Sequence, residues 1–186
     1  MSAASEPTFQ QAMEITAQWL ALWGSGELSE EVLADRVGAL VASRDGARGF
    51  FVVALAGDSP LLDRLPEVLL LQLRCAGELV VDLTARNLAM STAMAEAHGR
   101  SGDDAQRAGS LRVQARATEL LRHLEPETVR QRLEPLLAAA RGTGDISLDG
   151  AETAIADDQA FLERWGYDAG QRALIAEAIE AVAEDA

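Results

Sequence analysis

Residues 50–55, Phe50-Phe51-Val52-Val53-Ala54-Leu55, decide the fold class of this chain. Their aromatic and β-branched content reads as a buried strand. A strand needs a partner, because a lone one leaves its backbone N–H and C=O groups unpaired. No second stretch of the sequence carries a strand pattern. The segment is therefore expected to be a short buried helix, and the chain to be all-α.

Outward from this point the helix signals repeat. Thr8 to Trp23 forms a first amphipathic segment, closed by Gly24 and Gly26. Ser29 caps a second, with Glu30 and Glu31 in the first turn, where the helix dipole favours negative charge. Val32, Leu33, Val37, Leu40 and Val41 then keep helical spacing. Residues 44–49, Arg-Asp-Gly-Ala-Arg-Gly, read as a loop or a frayed helix start. Downstream, Asp58-Ser59-Pro60 and Leu65-Pro66 place proline near the first helical position of two more segments.

From Pro66 the pattern runs to about His98, which predicts one helix of about 33 residues and about 50 Å. Its stripe alternates steps of four and three residues: Leu69, Leu73, Ala76, Val80, Leu83, Asn87, Met90, Met94 and Ala97. Apolar on most faces between Val68 and Val81, this helix is expected at the centre of a multi-helix bundle. Gly99 and Gly102 end it. Asp103 or Asp104 opens the next helix, to about Leu124, and Glu125-Pro126 opens another that ends near Arg141.

The strongest linker signal is Arg141-Gly142-Thr143-Gly144. Residues 142–186 hold 11 acidic residues and two arginines, a net charge of −9 against −5 for residues 1–141. Two amphipathic segments, Gly150–Trp165 and Asp168–Val182, flank Gly166-Tyr167. The expected organisation is a helical bundle domain over residues 1–141 and an acidic C-terminal helical hairpin over residues 142–186.

Composition excludes much of the chemistry that a chain of 186 residues can carry. Thirty acidic residues face 16 basic ones, all of them arginine, for a net charge of −14. Without lysine there is no Schiff base, no pyridoxal phosphate anchor and no phosphate-loop lysine. A single cysteine, Cys75, excludes an intrachain disulfide, a CxxC redox pair and a cysteine-built metal centre. Apolar residues at 48% and charged residues at 25% fall in the globular range. A chain of this size buries about 70% of its extended surface on folding, enough for a core of its own.

No basic-then-apolar leader pattern opens the sequence, and the longest purely apolar run, Phe50 to Ala56, is too short to cross a bilayer. A cytoplasmic, soluble protein is expected. The negative charge opposes binding to nucleic acid or an anionic membrane. Arginine-only basic usage points to a GC-rich bacterial genome.

Candidate sites are few, and each has a plain structural counterpart. Asp145-Ile146-Ser147-Leu148-Asp149-Gly150 has the first half of an EF-hand calcium loop, but Ala156 stands where the bidentate glutamate belongs. A capped helix start is the better reading, and no metal or cofactor is expected. Asn87 falls inside the long apolar stripe, with Ser91 one turn on and His98 further along that side. This set either lines a small-molecule pocket or fixes packing through buried hydrogen bonds. His98 at a helix end is also favoured as an imidazolium by the dipole.

Glu119, His123 and Glu127 share one helical face, yet the Glu-x-x-His pairs of a di-iron bundle are missing. Arg44 and Arg48 flank Asp45-Gly46, and Arg107, Arg112 and Arg116 punctuate a later helix. Arginine suits bidentate capture of phosphate or carboxylate, so Arg44 and Arg48 are candidate ligands of a small anion. Trp19 and Trp23 lie one turn apart, and Trp165 and Tyr167 sit in the terminal hairpin. Tryptophan and tyrosine commonly anchor protein interfaces, which makes Trp165, Tyr167 and Trp23 the candidate interaction residues.

The stretch from Arg44-Asp-Gly-Ala-Arg-Gly-Phe-Phe-Val-Val through Asp58-Ser-Pro-Leu to Arg86-Asn-Leu-Ala-Met-Ser-Thr-Ala-Met resembles an uncharacterised all-helical family of cyanobacteria. The resemblance covers about the first three quarters of the chain and implies no activity, ligand or site.

The expected function is therefore a non-enzymatic protein-interaction module, an adaptor, regulator or assembly factor, acting through helical surfaces. Its partner would present a basic surface, and self-association through the Leu69–Ala97 stripe is a further expectation. The alternative is a helical ligand-binding or sensory domain with a pocket near Asn87 and His98. An enzyme built on this chain would have to use carboxylates, His98 or a borrowed cofactor.

Overall fold

A computed structural model describes residues 6–143 and 151–184. Among the described residues every regular element is a helix: nine α-helices and one 3₁₀ turn. The fold is all-α, and residues 50–55 lie inside a helix. Among the described residues, no helix is long and apolar enough to cross a membrane. Packing divides the chain into two compact units, residues 1–84 and 85–186.

The first unit holds α1 (Phe9–Gly24), α2 (Glu30–Val41), α3 (Arg44–Ala56), the 3₁₀ turn Pro60–Leu62, α4 (Glu67–Cys75) and the start of α5 (Glu78–Ser101). Side-chain caps set its helix starts. Thr8 and Gln11 form a capping box on α1, the Thr8 Oγ1 accepting from the Gln11 N–H and Gln11 Oε1 accepting from the Thr8 N–H at 2.9 Å. Ser29 caps α2, and Ser43 caps α3 by accepting from the Gly46 N–H at 3.1 Å.

Residues 44–49 are therefore the first turns of α3, where the sequence reads as a loop or a frayed start. The glycines mislead because they serve packing and not chain reversal. A Cβ on Gly49 would stand 2.5 Å from the Ala12 Cβ, 2.9 Å from the Phe9 carbonyl oxygen and 2.9 Å from the Met13 nitrogen. The missing side chain lets α1 and α3 approach closely. Phe50 and Phe51, both fully buried, meet edge-on with centroids 5.2 Å apart and fill the core beside Leu33, Val37 and Leu55.

The single helix expected over residues 66–98 is two helices, α4 and α5. The break is at Gly77, whose φ of +62° lies in the left-handed region that glycine enters without a Cβ penalty. The predicted stripe also loses its phase. Leu69, Leu73, Val80 and Leu83 are buried, but Asn87 and Met90 are half-buried and Met94 is exposed. A four-three alternation drifts about 20° per heptad on a straight α-helix. The later buried residues of α5 are Ala85, Leu88, Ala89, Ser91, Thr92, Ala93 and Ala95.

The second unit contains the rest of α5, α6 (Asp104–His123), α7 (Pro126–Arg141), α8 (Ala151–Arg164) and α9 (Ala169–Glu184). Asp103 caps α6, accepting from the Gln106 N–H at 3.1 Å, and Pro126 takes the first position of α7. Gly142, with φ +68°, closes α7. The expected domain edge at residues 141 and 142 thus lies inside this unit, since α8 and α9 both pack on α7, and α9 also packs on α6. Asp168 and Gln171 form a reciprocal capping box at the start of α9, with bonds of 2.9 and 3.0 Å. Leu121, Leu124, Leu136, Leu162 and Ile175 form the core.

Candidate functional site

The polar residues singled out on α5 are placed along one helix and not around one point. Ser91 is buried, and its hydroxyl donates to the Leu88 carbonyl at 3.1 Å, an intrahelical bond. Asn87 and His98 are half-buried, and His98 stands two turns beyond Ser91, about 10 Å along the axis. Arg44 and Arg48 are exposed on the first turns of α3, in the first unit. The Arg48 guanidinium bonds Asp45 at 3.2 Å and lies 4.8 Å from the Phe9 ring centroid, so it already has an acid and an aromatic face.

Of the candidate interaction residues, Trp23 is half-buried near the end of α1. Tyr167 is buried edge-on to Phe161, with centroids 6.5 Å apart, and burial pushes its hydroxyl pKa up to about 12. Trp165 is 53% exposed beside Gly166 in the turn between α8 and α9. It alone of the three offers an open ring. Glu119 and Glu127 each pair with an arginine, Arg122 at 2.6 Å and Arg130 at 2.7 Å. Residues 145–150, the half calcium loop, lie outside the described residues.

Two features of the second unit have no counterpart in the sequence reading. The first is a buried ion cluster. Asp158, 2% exposed, accepts two bonds from Arg132 at 2.7 and 2.8 Å, and the Arg86 guanidinium stands 4.0 Å away. Arg86 also lies 4.9 Å from the Phe161 ring centroid. Fork-to-fork pairing of this kind fixes geometry as well as charge, and here it ties α8 to α7. A signal for it exists. Asp158 falls on the helical stripe of Ile155, Phe161 and Leu162, an acid where an apolar residue belongs.

The second is a groove of about 310 Å³ between the face of α7 and the end of α9. Val129, Leu133 and Leu137 of α7 form one wall, with Ile179 and Val182 of α9 opposite and Leu121 at one end. Arg122, Arg130, Glu134 and Glu180 stand on the rim. The apolar periodicity of both helices is visible in sequence, but their crossing, which forms the groove, is not. A separate, polar cleft of about 350 Å³ is lined by Thr92, Glu96, Arg107 and Gln114.

The family model described as Uncharacterised conserved protein UCP020893 matches residues 8–182 of the chain. No curated protein and no solved structure matches it.

Proposed function

We propose, for a chain that belongs to the UCP020893 family, the role of a non-enzymatic protein-interaction module. Its working surface in this reading is the α7–α9 groove of the second unit, and it serves as an adaptor, regulator or assembly factor. The observation that supports the reading is the groove itself, whose lining combines the half-buried Leu137 and the buried Val129, Leu133, Ile179 and Val182 with the charged Arg122, Arg130, Glu134 and Glu180. Interfaces are built this way, with anchors that enter a desolvated centre and polar residues that seal the edge. Trp165 supplies a second exposed anchor on the same unit. We place the protein in the bacterial cytoplasm, in keeping with its arginine-only basic usage, and infer a partner with a basic surface from the net charge of −14.

A photoreactive amino acid in place of Leu137 tests this reading in the protein's own host. Irradiation is expected to yield an adduct with a polypeptide, while the same group at the exposed Leu71 of the first unit yields no adduct with that polypeptide. Equal adducts from both positions, or none from position 137, would overturn the reading.

A further inference from the structure

We propose that the polar cleft of the second unit binds a short peptide of about three residues with both ends free, a zwitterion with an apolar middle. This site is separate from the α7–α9 groove and does not depend on it.

The cleft lies between α5, α6 and α9. Arg107 of α6 is laid across the end of α5, where a Cβ on Gly99 would stand 3.3 Å from the Arg107 Nε. Among the described residues no acid pairs with this guanidinium. Glu96, on the α5 wall, is already taken, accepting from the Arg100 Nε at 2.8 Å. The side chains of Gln114 on α6 and Glu177 on α9 also have no partner among the described residues. The spare bonding capacity is thus a guanidinium fork, an amide and a carboxylate. The fork suits a carboxylate, and Glu177 suits an ammonium. These two spare charges are opposite in sign, so a zwitterion satisfies both. A phosphate or a polycation would satisfy one and meet repulsion from the other.

Position sets the length of the occupant. Arg107, Leu111 and Gln114 follow i, i+4, i+7 on one face of α6 and span about 10 Å of its axis. Glu177 belongs to the Gln114 end, because Ala181, one turn further along α9, accepts from Arg122, two turns beyond Gln114. An extended chain covers at most about 3.3–3.6 Å per residue, so three residues bridge the two ends. A free amino acid holds its ammonium and carboxylate too close together to do so. Between the ends, Leu111 is 42% exposed and Leu174 half-buried, which leaves apolar surface for a central side chain. A volume of about 350 Å³ is at the small end of the range for ligand sites.

Isothermal titration calorimetry of alanyl-leucyl-alanine into the full chain tests the assignment. Saturable binding at one site is expected. Amidation of the peptide's carboxyl group should weaken it at least about tenfold, and so should Arg107→Gln. Combining the two should cost little more than either alone, since both remove one contact. Acetylation of the amino group and Glu177→Gln should form a second such pair. Both substituted side chains are exposed, so the variants are expected to fold, and thermal melting verifies it.

No binding of the free peptide would overturn the proposal, as would binding that neither variant weakens. Peptides blocked at both ends that bind as well as the free one would overturn the zwitterion. Free leucine that binds as tightly as the tripeptide would overturn the three-residue span.

Discussion

Replacing Asp158 with alanine is expected to destabilise the second unit by about 3–5 kcal/mol. The carboxylate is 2% exposed and takes two bonds from Arg132, whose side chain is itself only 17% exposed. Removing it leaves a desolvated guanidinium without its bidentate partner, with the Arg86 guanidinium nearby. The cost is that of stranding a charge and not the net worth of the pair. The distinction is testable, because replacing both members of a buried pair by apolar residues of similar volume is often neutral or stabilising. Asp158→Leu combined with Arg132→Met should therefore recover most of what Asp158→Ala loses. Chemical denaturation gives the magnitude. Amide hydrogen exchange should localise the loss to α7 and α8, which this pair joins. A loss under about 1 kcal/mol for Asp158→Ala would mean that α8 is held by apolar contact alone.

The second large effect is at Gly49, where the sign of the change is the informative part. Glycine to alanine inside a helix normally stabilises by about 0.5–1 kcal/mol, through backbone entropy. At Gly49 the new Cβ meets a backbone oxygen and a backbone nitrogen of α1 inside 3.0 Å, and these cannot rotate away. Gly49→Ala should therefore cost about 1–3 kcal/mol, the range for overpacking, and Gly49→Val more. Gly109 on α6 is the internal control. A Cβ there meets nothing within 4 Å, so Gly109→Ala should raise stability by about 0.5–1 kcal/mol. Thermal melts of the two alanine variants, moving in opposite directions, would support the close approach of α1 and α3. A stabilised Gly49→Ala would contradict it.

Those two residues also show what the sequence makes legible and what it does not. Helix starts are local events, and Ser29 caps α2 in the structure as its chemistry predicts, as does Asp103, one of the two acids expected to open α6. The class of residues 50–55 follows from a global argument, the want of any strand to pair with, and α3 bears it out. Glycine is the weak point, because it has several physical uses that look alike in sequence. Gly49 permits a helix contact and Gly77 takes a positive φ, yet the first reads as a loop signal and the second is lost in an apolar run. Asp158 is obscured by its neighbours. In a segment of net charge −9 an acid reads as solvated surface, and only its phase relative to Ile155 and Leu162 marks it as buried. The groove depends on how α7 and α9 cross, a tertiary quantity with no local signature. Of the candidate site residues, Ser91 and Tyr167 are taken up by packing, and Trp165 stands exposed.

In the proposed role the α7–α9 groove holds a polypeptide. A native mass spectrum of the chain purified from its own host, recorded beside that of the Leu137→Gln variant, tests it most directly. The predicted result is a complex of the chain with a second, basic polypeptide that disappears in the variant while the chain itself stays folded. A complex that persists unchanged in Leu137→Gln, or an excess mass matching a small molecule in place of a polypeptide, would contradict it.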